Sequence, residues 1–316
     1  MKNRVYLQLT QACNLRCKMC DFWKNDKEKF SENHFFNLID ILVDSWVKWI
    51  TFWWWEPFLN PQIYDLIKYS KEKWLTTEII TNWVLINKIK ISEVIKFLDN
   101  IIFSIDSWIP FVHETIRWRK NIFTSIISNL EHIVNLRDSI HPRLNINIDV
   151  TLQKDNYNNF ETILEIVKKF HLKINFDPVQ VIWYWNQKDW KWLLLSDEEV
   201  IKLEKKLFDL KKNNPVYVIQ SLDSIKRIIF YFKWYKIENF CRSLNMDILV
   251  DSYWDVFKCW WKWEKMYNLF KEKKIINNKY KMDQTCYSCW FTHVREDDYF
   301  DWYSVTNDLF ADYIYN

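Results

Sequence analysis

The sequence predicts an α/β protein, an open (β/α)6 barrel of the TIM type, followed by a small C-terminal domain. Six strand-like segments alternate strictly with helical segments along the first part of the chain. This alternation indicates a parallel sheet with right-handed crossovers. Six units are too few for an eight-stranded barrel, so a partial barrel fits better. After about residue 235 short strands and cysteines replace the rhythm. We therefore expect a core domain over residues 1–235 and a second domain over residues 236–316.

The elements follow from the periodicity of apolar residues, which is two in strands and 3.6 in helices. The predicted strands cover residues 4–10, 49–53, 75–81, 101–106, 143–152 and 173–177. The predicted helices cover residues 31–45, 61–73, 86–98, a stretch reaching 138, 157–170 and 196–212, with Ser31 as the expected N-cap of the first. Two short strands are predicted over residues 246–250 and 255–258. In such a fold, catalytic residues lie at the carboxyl ends of the strands.

Composition excludes several classes of function. Charged residues make up 27% of the 316 residues and the net charge is +3, a bias too weak to favour nucleic acid or an anionic membrane. No apolar run reaches the length of a membrane span, and the start of the chain does not resemble a signal peptide. We therefore expect a cytoplasmic protein, where thiols stay reduced and clustered cysteines indicate metal binding or catalysis.

Glycine and tryptophan have unusual frequencies. The chain contains 21 Trp and no Gly, whereas average usage predicts roughly 22 Gly in a chain of this length. Glycine is the residue that adopts positive φ angles without steric cost. Either this protein forms its turns without glycine, or the printed tryptophan stands for glycine at many positions.

The seven cysteines fall into two sets, and the first follows the first predicted strand. Cys13, Cys17 and Cys20 form a C-x3-C-x2-C pattern. Three thiolates on one short loop suggest a [4Fe–4S] cluster with one iron left open, because such clusters usually have four cysteine ligands. The alternatives are a zinc site completed by His34 and inert buried cysteines.

The segment TQACNLRCKMCDFW resembles the CxxxCxxC signature of radical S-adenosylmethionine (SAM) enzymes, which lies after the first barrel strand in that family. The motif Trp54-Trp55-Glu56-Pro57 resembles the family's Gly-Gly-Glu-Pro after strand two, and Thr81-Asn82-Trp83 resembles its Thr-Asn-Gly after strand three. Further matches are Ser104-Ile105-Asp106-Ser107-Trp108, where Trp falls one place late for a glycine, and Ile116-Arg117-Trp118. The resemblance extends over nearly the whole chain.

This resemblance implies a set of site residues. Cys13, Cys17 and Cys20 would hold the cluster whose fourth iron SAM chelates. Reductive cleavage of SAM, with electrons from an external donor, would then yield a 5′-deoxyadenosyl radical that abstracts a substrate hydrogen. The expected SAM contacts are the amino group near Glu56 and the carboxylate or ribose near Ser104 and Asp106. The complete predicted SAM-binding set is Trp54, Trp55, Glu56, Pro57, Asn82, Ser104 and Asp106.

In each of these motifs a family glycine is printed as tryptophan. Glycine is required after strand two because the backbone approaches SAM and turns sharply there, which excludes a side chain. We hypothesise that most of the 21 Trp are glycine in the living protein, as a stop codon reassigned to glycine but translated as tryptophan would produce. The alternative is that the tryptophans are real and the protein is an inactive paralogue.

The second cysteine set lies in the C-terminal part, at Cys241, Cys259, Cys286 and Cys289. The segment Trp254-Asp255-Val256-Phe257-Lys258-Cys259 resembles the Gly-x4-Cys element of SPASM and Twitch domains. Four ligands imply one auxiliary [4Fe–4S] cluster, as in the shorter Twitch type. A structural zinc site remains the alternative, because spacing alone does not separate the two.

The predicted function is that of a radical SAM oxidoreductase or maturase-like enzyme. The auxiliary cluster, closed by four cysteines, would exchange an electron with the substrate radical during oxidation or modification of a small molecule (a sugar-like alcohol) or a peptide. The alternative is a catalytically inactive metal-binding paralogue or a zinc-binding protein.

Overall fold

A computed structural model describes residues 4–20, 23, 34–179, 191–233, 247–257 and 265–275. Within them one sheet runs through the fold in the strand order β6-β5-β4-β3-β2-β1-β7-β8-β9. The strands are β1 (Arg4–Leu7), β2 (Trp49–Phe52), β3 (Thr76–Thr81), β4 (Asn100–Ser104), β5 (Asn145–Leu152), β6 (Lys173–Pro178), β7 (Asp247–Val250), β8 (Asp255–Phe257) and β9 (Lys265–Asn268). The first six pair in parallel, β7 pairs in parallel with β1, and β8 and β9 are antiparallel additions.

Helices connect the parallel strands. They are α1 (Phe35–Asp44), α2 (Ile63–Glu72), α3 (Lys88–Val94), α4 (Pro110–Arg117), α5 (Phe123–Ile140), α6 (Leu164–Lys169), α7 (Asp197–Asn213), α8 (Leu222–Phe232) and the short α9 (Leu269–Glu272). Alternate residues of each strand face these helices in one continuous apolar core. This arrangement confirms the predicted α/β fold class with a parallel sheet.

The two faces of the sheet differ in chemistry. On β5 the buried residues Ile146, Ile148 and Val150 alternate with partly exposed polar ones, as a strand with one face against helices requires. On the inner face, near the amino ends of the strands, Arg4 forms a buried ion pair with Glu78. The inner face of the barrel is therefore polar near the amino ends of the strands, and the helix-facing side of the sheet is apolar.

Some predicted boundaries change. The predicted helical stretch up to residue 138 is two helices, α4 and α5, because Trp118 adopts a left-handed conformation (φ 50°) and ends α4. The sequence pattern also fails to predict α8, which begins at the N-cap Ser221. The predicted N-cap Ser31 lies outside the described residues, and so does most of the predicted C-terminal domain, whose boundary stays a prediction. None of the helices that the structure describes is long and apolar enough to cross a membrane.

Candidate active site

The first cysteine set lies on the loop that leaves β1, at the carboxyl edge of the sheet. Cys13, Cys17 and Cys20 are each partly buried and none forms a disulfide. The backbone of Leu15 donates to Cys13 Sγ at 3.4 Å, and the Cys20 N–H donates to the Cys17 carbonyl at 3.1 Å. The loop therefore turns back on itself and keeps its three thiols at one end of the barrel.

Residues that follow β2 and β3 hold the start of this loop. The Glu56 N–H donates to the carbonyl of Ala12 at 3.3 Å. The Asn82 side-chain amide donates to Asn14 Oδ1 at 2.7 Å. Glu56 lies 44 residues after Ala12, and Asn82 lies 68 residues after Asn14. The parallel register brings them together because all these strands end at the same edge.

The end of α4 holds the other side of the loop. The Lys18 N–H donates to the Ile116 carbonyl at 2.9 Å, and Arg119 Nη1 donates to the Asn14 carbonyl at 2.8 Å. The ends of β2, β3 and α4 thus hold the cysteine loop through its backbone and through the Asn14 side chain, and none of these contacts involves a thiol.

The carboxylate of Glu56 is completely buried and accepts three hydrogen bonds. Its Oε1 accepts from Thr81 Oγ1 at 2.6 Å and from the Phe58 N–H at 3.1 Å, and its Oε2 accepts from the Asn82 N–H at 3.1 Å. Burial raises the pKa of Glu56 to about 7, although these hydrogen bonds oppose the rise. The carboxylate therefore joins the ends of β2 and β3 and can change its protonation state near neutral pH.

Asp106 follows β4 and is also completely buried. Its Oδ1 accepts from Arg117 Nη2 at 2.9 Å and from the Thr151 N–H at 3.1 Å, and Arg117 Nε lies 2.6 Å from Oδ2. The Asp106 N–H donates to Nδ1 of the buried His113 at 3.2 Å. Burial lowers the pKa of His113 well below its usual value, so this histidine is a neutral acceptor. The Asp106 carboxylate is therefore already bound by Arg117 and by the backbone of Thr151. A direct contact between Asp106 and SAM stays a prediction.

The chemistry of the thiols fits a bound metal cluster. Burial raises the pKa of Cys13 to about 12 and also raises the pKa of Cys17. Buried thiols of this kind become thiolates when a metal compensates the charge, since coordination deprotonates a thiol outright. The zinc alternative gains no support from His34, whose ring packs against Trp254 and Phe270. Among the described residues no three His, Cys, Asp or Glu side chains are grouped as ligands of a single ion.

The tryptophans at family glycine positions have glycine-like backbone angles. The φ angles are 76° at Trp54, 50° at Trp55, 59° at Trp83, 50° at Trp118 and 68° at Trp254. These are the positions where the sequence motifs call for glycine after strand two, after strand three, after Ile-Arg and before Cys259. A positive φ costs an L-residue roughly 1–2 kcal/mol. Trp108, which falls one place late in its motif, has no positive φ.

Two further tryptophans end helices where glycine is usual. Trp46 follows α1 and donates to the Val43 carbonyl, while Val47 donates to the Leu42 carbonyl. This is the Schellman pattern, which places a left-handed residue, most often glycine, just after the helix. Trp74 follows α2 in the same way, with φ 65°. These two sites lie outside the family motifs and give independent support for glycine.

The indoles after β2 lie against the inner face of the barrel. Trp53 and Trp54 are stacked, with ring centroids 5.0 Å apart, and both pack on the inward-facing Tyr6 and Leu249. Trp54 and Trp55 also contact each other, at 5.4 Å. These side chains fill space at the mouth of the barrel, where a backbone cradle for SAM requires none, so Trp54 and Trp55 as printed do not fit the predicted cofactor.

The structure brings together part of the predicted site. The three N-terminal cysteines, Glu56 and Asn82 share one hydrogen-bonded region, and the buried Pro57 starts a 3-10 turn next to them. Ser104 is partly buried and ends β4, two residues before Asp106. Cys241, Cys259, Cys286 and Cys289 lie outside the described residues. Sequence reasoning missed the roles of Thr81, Arg117 and Thr151, although the Ile-Arg-Trp motif contained Arg117.

Comparison with known proteins agrees with this geometry. The profile of the Radical SAM superfamily matches residues 7–167. A curated relative, the tungsten-containing aldehyde ferredoxin oxidoreductase cofactor-modifying protein of Pyrococcus furiosus, is 24% identical over 159 residues, which are 48% of this chain and 44% of that protein. The matched region thus spans less than half of that relative.

Two solved structures have a similar fold. SuiB of Streptococcus suis bound to S-adenosylmethionine has a TM-score of 0.67 at 12% identity, covering 92% of this chain and 72% of SuiB. Native anSMEcpe with bound AdoMet has a TM-score of 0.65 at 15% identity, covering 92% of this chain and 87% of anSMEcpe. Both have also been solved with a peptide, the precursor peptide SuiA and the Cp18Cys peptide respectively.

The match over half of the sequence, together with the C-x3-C-x2-C loop at the end of β1, shows that the chain belongs to the radical SAM superfamily. The members of this superfamily are enzymes that bind SAM and a [4Fe–4S] cluster.

Proposed function

We propose that this protein cleaves SAM reductively and uses the resulting 5′-deoxyadenosyl radical to abstract a hydrogen atom from a polar substrate. Cys13, Cys17 and Cys20 would hold the [4Fe–4S] cluster, which supplies the electron for cleavage when it is bound. The observation that carries this proposal is the position of three partly buried thiols on one loop at the carboxyl edge of the barrel, with the pKa values of Cys13 and Cys17 raised by burial.

In this proposal the chain's own residues bind SAM and orient the cysteine loop. Glu56 is held by Thr81 and Asn82 beside the loop, so the backbone that follows β2 is fixed in the region where we expect the amino group of SAM. The loop carries the thiols in a fixed backbone because Asn82 and the end of α4 hold it. Orientation of this kind, with water excluded, is the contribution that a protein makes to cofactor chemistry.

The residues on the inner wall of the barrel favour a polar substrate. On β5 and β6 the residues that alternate with the core are Asn147, Asp149, Thr151, Asn175 and Asp177, all partly exposed. In the register, Asp149 pairs with Asn175 and Thr151 with Asp177. Such a wall suits hydroxyl and amide groups, and we therefore favour a sugar-like alcohol or a peptide. The peptides bound to SuiB and anSMEcpe, and the cofactor-modifying relative, are consistent with either class.

We extend the proposal to an auxiliary [4Fe–4S] cluster on Cys241, Cys259, Cys286 and Cys289, placed in a SPASM/Twitch-like segment over residues 236–316. Its support is the sequence spacing together with the positive φ of Trp254, the position that corresponds to the glycine of the Gly-x4-Cys element.

Anaerobic reconstitution with iron and sulfide tests these assignments. The full chain should take up about eight irons, as two four-iron clusters, and form 5′-deoxyadenosine from SAM under reduction. Replacement of Cys13, Cys17 and Cys20 together by Ala should halve the iron and abolish 5′-deoxyadenosine. Zinc uptake without iron would show that the cluster assignment is wrong.

We also infer that the native protein carries glycine at Trp54, Trp55 and most other printed tryptophans. The positive φ angles and the crowded barrel mouth support this inference. The competing function is an inactive paralogue, which the packed indoles of Trp53 and Trp54 favour if they are real. Mass spectrometry of peptides from the native protein decides between them: peptides over residues 49–68 should be lighter than the printed sequence requires. Full tryptophan masses there would support the inactive paralogue.

A further inference from the structure

Arg117, at the end of α4, is a buried cation next to the cysteine loop. Only 8% of the residue is exposed. Its Nη1 lies 3.9 Å from Cys17 Sγ, in donor geometry. The same guanidinium contacts Asp106 through Nη2 at 2.9 Å and through Nε at 2.6 Å. The rigid planar guanidinium can bind a carboxylate bidentately and still donate to a sulfur, whereas a lysine presents a single compact ammonium group.

Backbone contacts fix the position of this side chain. The Ile116 carbonyl accepts from the Lys18 N–H at 2.9 Å, so the residues next to Arg117 and Cys17 are joined directly. The left-handed conformation of Trp118 ends the helix at this point. Arg117 is therefore held against the sulfur by Asp106 on one side and by the loop backbone on the other.

Other charged groups near the loop are more exposed or are paired. Lys18 forms an ion pair with Asp155 at 3.0 Å, with both side chains partly in solvent. Arg119 is exposed and contacts the backbone of Asn14. His113 is neutral because burial lowers its pKa. Within the part of the chain that the structure describes, the buried charges beside Cys17 are thus those of Arg117 and Asp106. Burial makes their effect strong because the local dielectric constant is low.

We propose that Arg117 is a positioning residue that raises the reduction potential of the cluster held by Cys17, and that Asp106 moderates this effect. Reduction adds an electron to an already anionic cluster. A cation and an N–H donor at a ligand sulfur stabilise the reduced state, because charge and hydrogen bonds to sulfur set the potentials of such clusters. The proposal rests on the proposed cluster at Cys13, Cys17 and Cys20.

The test is an EPR-monitored redox titration of the reconstituted full chain and its variants, with iron content measured in parallel. The signal of this cluster is the one that disappears when all three N-terminal cysteines are replaced by Ala. Arg117→Gln removes the charge and should lower the midpoint potential, changing the ratio of oxidised to reduced cluster at least tenfold, which is 59 mV for one electron. Asp106→Asn leaves the cation uncompensated and should raise the midpoint. The matched control Lys120→Gln removes an exposed cation three residues after Arg117 and should shift the midpoint far less.

Opposite shifts in Arg117→Gln and Asp106→Asn are the expected result. Equal midpoints in both variants and the wild type, with full iron content, would overturn the role of Arg117 while leaving the proposed function intact. Arg117→Gln could fail to take up iron because it leaves the buried Asp106 unpaired. In that case the double variant Asp106→Asn/Arg117→Gln, which removes both charges, is compared with Asp106→Asn. A midpoint below that of Asp106→Asn supports the proposal, and an equal one overturns it. A wild-type chain that takes up no iron would overturn both proposals.

Discussion

Replacement of Trp74 by glycine should cost the printed chain little or no stability, in spite of the loss of the largest side chain. Trp74 follows α2 with φ 65°, and 92% of it is exposed. An indole this exposed buries about 20 Å² at most, since an aromatic side chain offers 150–250 Å², and this area contributes roughly 0.5 kcal/mol. The backbone strain of a non-glycine residue in the left-handed region is larger, roughly 1–2 kcal/mol.

The matched variant Trp74→Ala separates strain from the loss of the indole. Both variants lose the indole, but alanine keeps a Cβ and therefore keeps the strain. Glycine also has greater freedom in the unfolded chain, which costs roughly 0.5–1 kcal/mol. The net expectation is that Trp74→Gly exceeds Trp74→Ala in stability by about 0.5–1 kcal/mol, the difference between the strain and this entropic cost.

The same pair at Trp49 provides a control with the opposite sign. Trp49 lies in β2 and has no positive φ. Glycine in a strand stabilises a protein less than alanine does, by roughly 0.5–1 kcal/mol. The Trp49→Gly variant should therefore be less stable than the Trp49→Ala variant. Urea unfolding followed by circular dichroism measures both pairs. If Trp74→Ala equals or exceeds Trp74→Gly, residue 74 does not require glycine and the structural support for recoding is lost at this site.

The consequence for the whole chain is large. Seven tryptophans of the described residues have positive φ. At about 1 kcal/mol each, their strain approaches 7 kcal/mol, which is comparable to the entire stability of a typical protein, 5–15 kcal/mol. The chain as printed should therefore be far less stable than a version with glycine at these positions.

Two further predictions concern the ionisable and auxiliary sites. Because burial raises the pKa of Glu56 from 4.5 to about 7, the folded state binds its proton more tightly than the unfolded state. Stability should thus fall by about 3 kcal/mol as pH rises from 4.5 to 7, and Glu56→Gln should remove most of that slope in urea unfolding; an unchanged slope would assign it to other groups. Loss of Cys286 or Cys289 should leave 5′-deoxyadenosine formation largely intact and stop product formation, since the auxiliary set is expected to act after hydrogen abstraction. Disappearance of SAM cleavage while the first cluster stays loaded would contradict that order.

Periodicity predicted the elements well where burial is regular. The alternating pattern of β5 and the capping box at Ser196 that begins α7 are local signals, so the chain shows them without its partners. The break between α4 and α5 was not predictable in the same way. The usual stop signal is a glycine after the helix, and here Trp118 stands in its place. Tryptophan at the position where a stop signal usually has glycine conceals the helix end from a reading of the sequence pattern.

The site was predictable in its thiols and less so in the groups around them. The cysteine spacing and the Glu56 motif identify chemistry directly, because few residue patterns place three thiols on one loop. The contact between Arg117 and Cys17 depends on the helix after β4 returning to the loop after β1, and an arginine in a sequence is more often exposed than buried. The location of Arg117 is thus a result of the fold that local pattern does not reveal.

The contacts of the loop suggest why its cysteines lie next to a buried arginine. The cysteine loop is held at Ala12 by Glu56, at Asn14 by Asn82, and at Lys18 by the end of α4. None of these contacts uses a thiol, so the loop can keep its path before a cluster is present and need not be ordered by it. A cluster bound to such a loop has an environment that the fold determines in advance. In that case a single buried cation can set its potential, because Asp106 holds the guanidinium beside the sulfur.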